Sequence, residues 1–288
     1  MNWSHAKTLL RASCLTALLT ACNAAEPPAA QEIAPGVQLI AQIGDPRIKE
    51  SSGVIASRRY ADVFWTHNDG GGPKKQVLYA IDRKGGTRAA FPVTGPTFQD
   101  WEDIAIDDGG HLFLGDIGNN DAKRDTLAVY EIDELDPAAS TGDVSPKRAW
   151  TLKFPDAPFD CESLFIWKDY GYVISKVFNN ARAQIFRFPL QGTTEPVTLE
   201  LVATTKIESP VTGADISADG NLLGLVAKSG AYVYRIDGDV ARVNEIKPHS
   251  TKLEGKHIEG CCFVPDGLLA TSEPRQIYLF TDPAFRGK

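Results

Sequence analysis

Short runs of Val, Ile, Leu, Phe and Tyr recur along the chain, and clusters of Gly, Asp and Asn separate them. Residues 63–65, 77–81 and 112–114 are examples of such runs. Apolar runs of this length, bounded by turn-forming residues, are typical of β-strands. Long stretches with the apolar spacing of an amphipathic helix are absent from the sequence. The pattern therefore predicts an all-β fold.

Five segments of the chain repeat one plan. In each, a polar residue precedes an apolar strand, a turn, a second strand with a polar end and a third strand with aromatic residues. Aligning the segments brings five polar residues to one position, at spacings of 50, 60, 50 and 47 residues: Ser52, Glu102, Glu162, Thr212 and Glu259. A period of this length is typical of propeller blades. The repeat predicts a single five-bladed β-propeller over residues 36–288.

Extended stretches between the repeats predict a fourth, outer strand in the blades. Residues 88–93 and 149–154 are two such stretches. A further strand at residues 37–43 precedes the first repeat, and we expect it to join the last blade. Joining the two ends of the chain in one blade would leave no free sheet edge where the ring closes.

The N-terminus has the features of an export signal. Lys7 and Arg11 supply positive charge, and residues 15–19 lie in a short apolar stretch. The Leu-Thr-Ala-Cys run at residues 19–22 resembles the lipobox of bacterial lipoproteins. The apolar stretch is too short to span a bilayer as a stable helix. These features predict a lipoprotein signal peptide, and the alternative is an ordinary signal peptide with an incidental cysteine.

This interpretation divides the chain into three parts. Residues 1–21 are the signal peptide, and Cys22 is the lipidated residue that anchors the protein to a membrane. Residues 22–35, rich in Pro and Ala, form a flexible linker because they offer too little apolar surface to fold. Asn23 follows the cysteine, and without an Asp there the expected location is the outer membrane of a bacterial envelope, facing the periplasm.

Composition narrows the class of partner. The formal net charge is −7, which argues against nucleic acid, because binding phosphates needs an excess of Lys and Arg. Hydrophobic residues make up 43% of the chain, enough for a globular core.

Beyond the signal and Cys22, the cysteines are Cys161, Cys261 and Cys262. They are interpreted as small buried residues, and a disulfide in an oxidising compartment is the alternative.

The aligned polar position carries the main chemical prediction. In a propeller the first strand of each blade lines the central channel, so Ser52, Glu102, Glu162, Thr212 and Glu259 form one ring. Three carboxylates around a narrow axis repel one another and must bind protons or a cation. All five side chains offer oxygen, which favours a hard cation, and Ca²⁺ is the predicted cofactor. The alternative is that the ring faces solvent in a water-filled channel.

A second ring is predicted at the same face, from the ends of the second strands. Its members are the candidate ligand-binding residues Asn68, Asp116, Lys176, Lys228 and Glu273. The two lysines would either grip an anionic ligand or neutralise the nearby carboxylates. His67, Asp116, Lys176 and Lys228 are weak catalytic candidates. His67 lies beside Asn68. A histidine in such a position is more often a loop residue with satisfied hydrogen bonds than a catalytic base.

The blade starts carry a family resemblance. Residues 101–104, 161–164 and 258–260, with residues 272–274 and Tyr278 near the end, resemble the SdiA-regulated family of bacterial envelope propellers. The resemblance covers about residues 36–285, and it implies a five-bladed fold with calcium near the channel.

A more distant similarity is to the calcium-activated nucleotidases, which are also five-bladed. The predicted ring resembles theirs, with Thr212 where a Ser would be usual. Their nucleotide-contacting residues have no clear counterparts in this chain.

Two functions fit these patterns. The first is a non-enzymatic, calcium-binding envelope lipoprotein that binds a small anionic ligand or an envelope protein. The absence of a Gly-x-Ser-x-Gly elbow or another standard nucleophile–base pair favours it. The alternative is a calcium-dependent hydrolase of phosphate esters, nucleotides or lactones, in which the metal polarises a P–O or C=O group.

Overall fold

A computed structural model describes Met1 and residues 30–139, 142–191 and 195–286. These residues form five β-sheets arranged as a five-bladed propeller, which confirms the predicted all-β class and the predicted blade number. The predicted signal peptide and Cys22 lie outside the described residues. Within the described residues, no helix has the length and apolar character needed to cross a membrane.

The strands follow one another in chain order, four or five to a blade. Two strands precede the first repeat, β1 (Gln31–Ala34) and β2 (Val37–Gln42). Blade 1 contains β3 (Ser51–Ala56), β4 (Phe64–Asn68), β5 (Val77–Ile81) and β6 (Thr87–Pro92). Blade 2 contains β7 (Trp101–Ile106), β8 (His111–Asp116), β9 (Thr126–Asp133) and β10 (Arg148–Lys153).

The remaining blades follow the same order. Blade 3 contains β11 (Cys161–Trp167), β12 (Tyr170–Ser175) and β13 (Gln184–Pro189); then β14 (Val197–Thr198) joins the edge of blade 2, and β15 (Glu200–Thr204) completes blade 3. Blade 4 contains β16 (Val211–Ile216), β17 (Leu222–Ala227), β18 (Gly230–Arg235) and β19 (His249–Lys252). Blade 5 contains β20 (Ile258–Val264), β21 (Gly267–Ser272) and β22 (Gln276–Phe280). Two short 3₁₀ helices are Val240–Asn244 and Pro283–Phe285.

The ring closes through the two ends of the chain. β2 pairs antiparallel with β22, and Val37 lies opposite Phe280. The predicted closure of the last blade by an N-terminal strand is therefore confirmed. β1 pairs with β2, so residues 31–34 form a strand inside the segment that the sequence predicts as a linker. Ile33 and Ala34 explain this position, because they pack on the apolar cluster of blades 4 and 5.

The core lies in the spaces between neighbouring blades. The inner strands β7, β16, β17 and β21 are buried along their whole length, since blades cover both of their faces. One cluster joins blades 1, 2 and 5 and includes the fully buried Trp65 and Trp101. Truncating a buried aromatic residue of this size to Ala costs about 3–5 kcal/mol, so blade-to-blade packing holds the ring together. Cys161, Cys261 and Cys262 are buried and unpaired, as the sequence predicts.

Side-chain hydrogen bonds join the inner strands of different blades, which have no backbone ladder between them. Ser52 Oγ donates to Glu102 O at 2.7 Å, and Thr212 Oγ1 donates to Ile258 O at 2.7 Å. Blades 2 and 3 are joined through the buried Asp103 carboxylate, which accepts a hydrogen bond from the backbone N–H of blade 3. Its acceptor distance to Leu164 N is 2.8 Å. These bonds satisfy backbone groups that would otherwise be buried without partners.

Candidate functional site

A cavity of about 150 Å³ lies at one mouth of the central channel, where first strands begin and second strands end. We call it the mouth cavity. Its lining contains six carboxylates, two lysines, one histidine and one serine: Glu50, Ser52, Asp69, Glu102, Glu162, Lys176, Lys228, His257, Glu259 and Glu273. The cavity lining therefore contains some members of each of the two predicted rings. Negative charge dominates the cavity, because the lysines match only two of its carboxylates.

A β-bulge brings the first ring to this mouth. In all five blades the register between the first and second strands slips at the second residue of the first strand, where Ser52, Glu102, Glu162, Thr212 and Glu259 lie. A bulge bends the strand and re-aims a side chain, and such bulges are common beside functional sites. The repeated bulge explains why residues far apart in the sequence share one end of the channel.

The inner strands come together directly below this ring. A Cβ atom on Gly260 would collide with Ser52 O, and one on Gly213 would collide with Glu259 O. Glycine is therefore required where these backbones approach one another. Blades 1, 4 and 5 have glycine at this level, whereas blades 2 and 3 have the buried Asp103 and Ser163. Except for Thr212, the ring residues one position earlier line the mouth cavity.

The five ring positions have different partners. The hydroxyl groups of Ser52 and Thr212 donate hydrogen bonds to backbone carbonyls of the next blade. Thr212 is outside the cavity lining. Glu162 forms a buried ion pair with Lys176. Glu259 is half-buried and lines the cavity without an ion pair among the described residues. The predicted ring is therefore not a set of five equivalent oxygen donors.

Glu102 is the exceptional member of the ring. It is 3% exposed, and its carboxylate has no hydrogen bond or ion pair with any described residue. Gly118 makes room for it, because a Cβ at that position would collide with Glu102 Oε1 and Asp100 Oδ2. Burying a carboxylate without a partner is costly. At this position Glu102 needs either a proton or a cation to neutralise its charge.

Two groups of carboxylates near Glu102 could hold a metal ion. Asp69, Asp100 and Glu102 each offer an oxygen within 4.8 Å of the others, and the same holds for Glu50, Asp69 and Glu273. Asp69 belongs to both groups, and its Oδ1 atom is buried with no hydrogen-bond partner among the described residues. The centre of the candidate site therefore lies off the channel axis, on the side of blades 1, 2 and 5.

Strand register explains why Asp69, rather than Asn68, reaches the cavity. The last residue of the second strand lies opposite the first residue of the first strand, as in Ser51 with Asn68 and Cys161 with Ser175. The residue after the second strand lines the mouth in four blades: Asp69, Lys176, Lys228 and Glu273. In blade 2 this residue is the buried Ile117. The sequence prediction placed Asn68 and Asp116 in the ring, one residue earlier than its other three members.

Asn68 and Asp116 instead hold the loops that carry two of the carboxylates. Asn68 Oδ1 accepts hydrogen bonds from Lys49 N at 2.7 Å and Glu50 N at 3.2 Å. Asp116 Oδ1 accepts hydrogen bonds from the backbone N–H of Asp100, at 2.8 Å, and of the residue before it. Arg124 also donates to Asp116 Oδ1, at 3.0 Å. These two residues position Glu50 and Asp100 and do not themselves reach the cavity.

Burial raises the pKa of several carboxyl groups around the mouth cavity. The pKa of Glu162 rises to about 7, chiefly through burial, and that of Glu259 to about 8, for the same reason with Glu162 adding repulsion. Burial and then the neighbouring Asp100 raise the pKa of Asp69 to about 6. Burial also raises the pKa of Glu102 well above its usual range. Like-charged groups that share a buried site take up protons or a cation.

His67 and Lys228, two of the weak catalytic candidates, differ in access. His67 is fully buried and stacks on Trp101 with ring centroids 4.1 Å apart. Burial lowers the pKa of His67 to about 3, and the residue is outside the cavity lining. Lys228 is exposed at the rim, and its ammonium has no hydrogen bond or ion pair among the described residues. Of the candidate bases and cations, Lys228 has the freest access to a ligand.

Phe178 is a rim residue that the sequence interpretation missed. Its side chain is 51% exposed, an unusual state for an aromatic residue. Its ring centroid lies 5.5 Å from Lys228 Nζ and 5.9 Å from Lys176 Nζ. The signal in the sequence was an aromatic residue two positions after a ring lysine, in the Lys-Val-Phe-Asn-Asn loop.

Comparison with known proteins adds no further evidence on function. No protein-family model matches the chain, and the search of curated proteins found no match. The propeller fold is shared by proteins of many functions, so the geometry of the mouth cavity is the guide to function.

Proposed function

We propose that this protein is a calcium-dependent binding module. In this proposal the mouth cavity holds Ca²⁺ and presents it, together with Lys228 and Phe178, to a small anionic ligand or an envelope protein. The single observation that carries the proposal is Glu102, a buried carboxylate with no partner among the described residues, directed at two further carboxylates. A cation bound there would remove the electrostatic cost of burying it.

The donor set fits a hard cation. Asp69, Asp100 and Glu102 would hold the ion, and all three offer carboxylate oxygen. Ca²⁺ accepts six to eight oxygen ligands in irregular geometry, so it suits a cavity where water can complete the shell. The cysteines, which would favour a softer metal, are buried apart from this cavity. When bound, the cation would supply a positive charge that attracts an anionic group.

The rim supplies the remaining contacts for a ligand. Lys228 offers an unpaired ammonium, and Phe178 offers an exposed ring beside it. An anionic group can bind between a cation and an ammonium, while an apolar part of the ligand packs on the ring. Lys176 contributes less to such binding, because Glu162 already neutralises its charge. This division of roles supports a binding function.

A calcium-dependent hydrolase is the second candidate, and Lys228 is the observation that favours it. An unpaired ammonium beside a metal could stabilise the negative charge that develops on a phosphate ester. It comes second because no weak catalytic candidate predicted from the sequence is a free base. His67 is buried, and Asp116 forms an ion pair with Arg124. Calcium-dependent turnover of phosphate esters or lactones that is lost in Lys228→Ala would reverse this ranking.

The proposal includes an envelope location. The lipobox-like run ending at Cys22 supports a lipid anchor in the outer membrane, and the likeness of the blade starts to SdiA-regulated envelope propellers agrees with it. Eight residues separate Cys22 from β1, and such a segment spans at most ~28 Å. Cys22→Ser should move the protein from the membrane fraction to the soluble fraction, and an unchanged distribution would contradict the anchor.

Calorimetry of the purified protein tests the cation. At Ca²⁺ concentrations of about 100 times Kd we expect the Tm to rise by roughly 5–10 °C, since such binding adds about 2.7 kcal/mol. Glu102→Gln should reduce this rise and weaken calcium binding at least tenfold. Glu245→Gln is the control and should behave as the parent, because Glu245 is exposed in the connection between β18 and β19, at the strand ends away from the mouth. If EDTA and Ca²⁺ give the same Tm in the parent, the proposal is wrong.

A further inference from the structure

Five carboxylates at the mouth form one continuous group, which we call the mouth cluster: Glu50, Asp69, Asp100, Glu102 and Glu273. Its two sets of three share Asp69, and each set offers oxygens within 4.8 Å of one another. The inner set contains the buried Glu102, whereas the members of the outer set are all partly exposed. A carboxylate has two oxygens, so one residue can serve two ions.

Charge in the mouth cluster exceeds what one divalent cation can neutralise. Among the described residues, the ion pair to this cluster is that of Lys75 with Glu50, at 3.6 Å. Lys176 is committed to Glu162. Five carboxylates and one lysine leave four negative charges, so one divalent cation would leave two, and two divalent cations would balance the cluster. Because part of the cluster is buried, water cannot screen the remainder fully.

Two carboxylates without hydrogen-bond partners lie where the two sets meet. Glu102 is 3% exposed and has no partner among the described residues, and Asp69 Oδ1 is buried without a hydrogen bond. Exposed acidic residues are common without a metal, but buried carboxylate oxygens are normally hydrogen-bonded. The absence of bonds on both residues therefore points to an ionic ligand at Asp69, the residue common to both sets.

We propose that the mouth cluster binds two divalent cations bridged by the carboxylate of Asp69. Asp69, Asp100 and Glu102 hold the inner cation, and Glu50, Asp69 and Glu273 hold the outer one. The inference rests on the proposed function, since it assigns a second cation to the same cavity. The outer cation is the weaker one, because its ligands are partly exposed and compete with water. It is also the cation that a ligand at the rim meets first.

Equilibrium dialysis with radioactive Ca²⁺ counts the ions and assigns each to its set. The parent should bind two per chain, with the second at least tenfold weaker. Glu273→Gln should retain only the tight site, Glu102→Gln should retain only the weak site, and Asp69→Asn should weaken both at least tenfold. Glu245→Gln should retain two. Each change keeps the size of the side chain, and circular dichroism checks that each variant is folded.

Manganese provides a second measurement that does not depend on activity. Two Mn²⁺ ions that share a carboxylate couple magnetically, so the parent loaded with two Mn²⁺ should give a broadened, coupled paramagnetic resonance spectrum. Glu273→Gln loaded with one Mn²⁺ should give the spectrum of an isolated ion. Two bound ions with no coupling would overturn the bridging role of Asp69, even if Asp69→Asn fails to fold.

The outcomes separate this inference from the proposed function. One tight ion, lost in Glu102→Gln and unchanged in Glu273→Gln, would overturn the second cation and leave the calcium-binding module standing. No bound ion in the parent would overturn both. Two ions with the expected losses would support both.

Discussion

The two sides of the mouth cavity solve the same electrostatic problem in different ways. On blade 3, the ring carboxylate Glu162 is neutralised from within the chain, by Lys176 of the same blade. On blades 1 and 2, Glu102 meets Asp69 and Asp100, and no cation of the described chain pairs with it. Repeats with one backbone plan therefore carry a side with an internal ion pair and a side whose buried carboxylate has no cation of the described chain beside it. The bulge thus places a carboxylate at the mouth in both blades 2 and 3. The residue beside that carboxylate, a lysine or an aspartate, determines whether its charge is neutralised.

Breaking the internal pair should have the largest effect. Lys176→Met leaves Glu162 buried and unpaired, which should destabilise the protein by about 3–5 kcal/mol. Chemical denaturation at neutral pH measures this loss. Lys153→Met, at an exposed position on the outer strand β10, is the control and should change stability by less than about 0.5 kcal/mol. A similarly small change in Lys176→Met would mean that the pair is not the stabilising element of this side.

Copying the paired side onto the other should remove the cation requirement. Asp69→Lys places an ammonium next to Glu102 and Asp100, as Lys176 lies next to Glu162. We expect calcium affinity to fall at least 100-fold, or about 2.7 kcal/mol, and the Tm in EDTA to rise. Titration calorimetry and thermal unfolding check the two effects. Calcium binding at the parental affinity would show that Asp69 is not a ligand.

The pH dependence of stability should differ between the metal-free protein and the calcium-loaded protein. Glu162, Glu259 and Asp69 have folded pKa values of about 7, 8 and 6, all above their usual values. The folded state therefore binds more protons than the unfolded state. The three protonated carboxyl groups make their whole contribution to stability below about pH 4, and this contribution is lost as the pH rises to about 8. In EDTA, the unfolding free energy should fall as the pH rises across this range.

Calcium should flatten this profile, because it takes the place of protons that the carboxyl groups lose as the pH rises. Denaturation at several pH values, with EDTA and with Ca²⁺, gives both curves. Identical slopes in the two conditions would contradict the assignment of a cation to Asp69.

The smallest effect on stability should come from Lys228→Ala, since its ammonium is exposed at the rim. We expect a change below about 0.5 kcal/mol in the unfolding free energy, and unchanged or slightly tighter calcium binding. Binding of inorganic phosphate to the calcium-loaded protein should weaken, because the variant removes a positive charge. A large loss of stability would show that Lys228 belongs to the paired side and is not a free rim residue.

The candidate site was predictable in proportion to its dependence on the repeat. The phase of the blades placed Glu102, Glu162 and Glu259 at one mouth, and the cavity lining contains all three. Asp69 was missed because a one-residue register difference changes which side chain faces the cavity. Asp100 was missed because only one position of each repeat was considered at the channel, although Asp100 stands two residues before Glu102, as Glu50 does before Ser52. Asp116 holds its backbone in place. Phe178 was missed because its exposure depends on a loop conformation that no repeat determines.

By itself, the sequence determined the all-β class, the number of blades and the closure by an N-terminal strand. These follow from periodic apolar runs, which depend on local alternation and on a repeated length. Only the tertiary structure decided that Glu162 is paired, that Glu102 is buried without a partner and that Asp69 joins two groups of carboxylates. These properties depend on distances between residues of different blades, and burial converts small differences in those distances into large differences in charge stability.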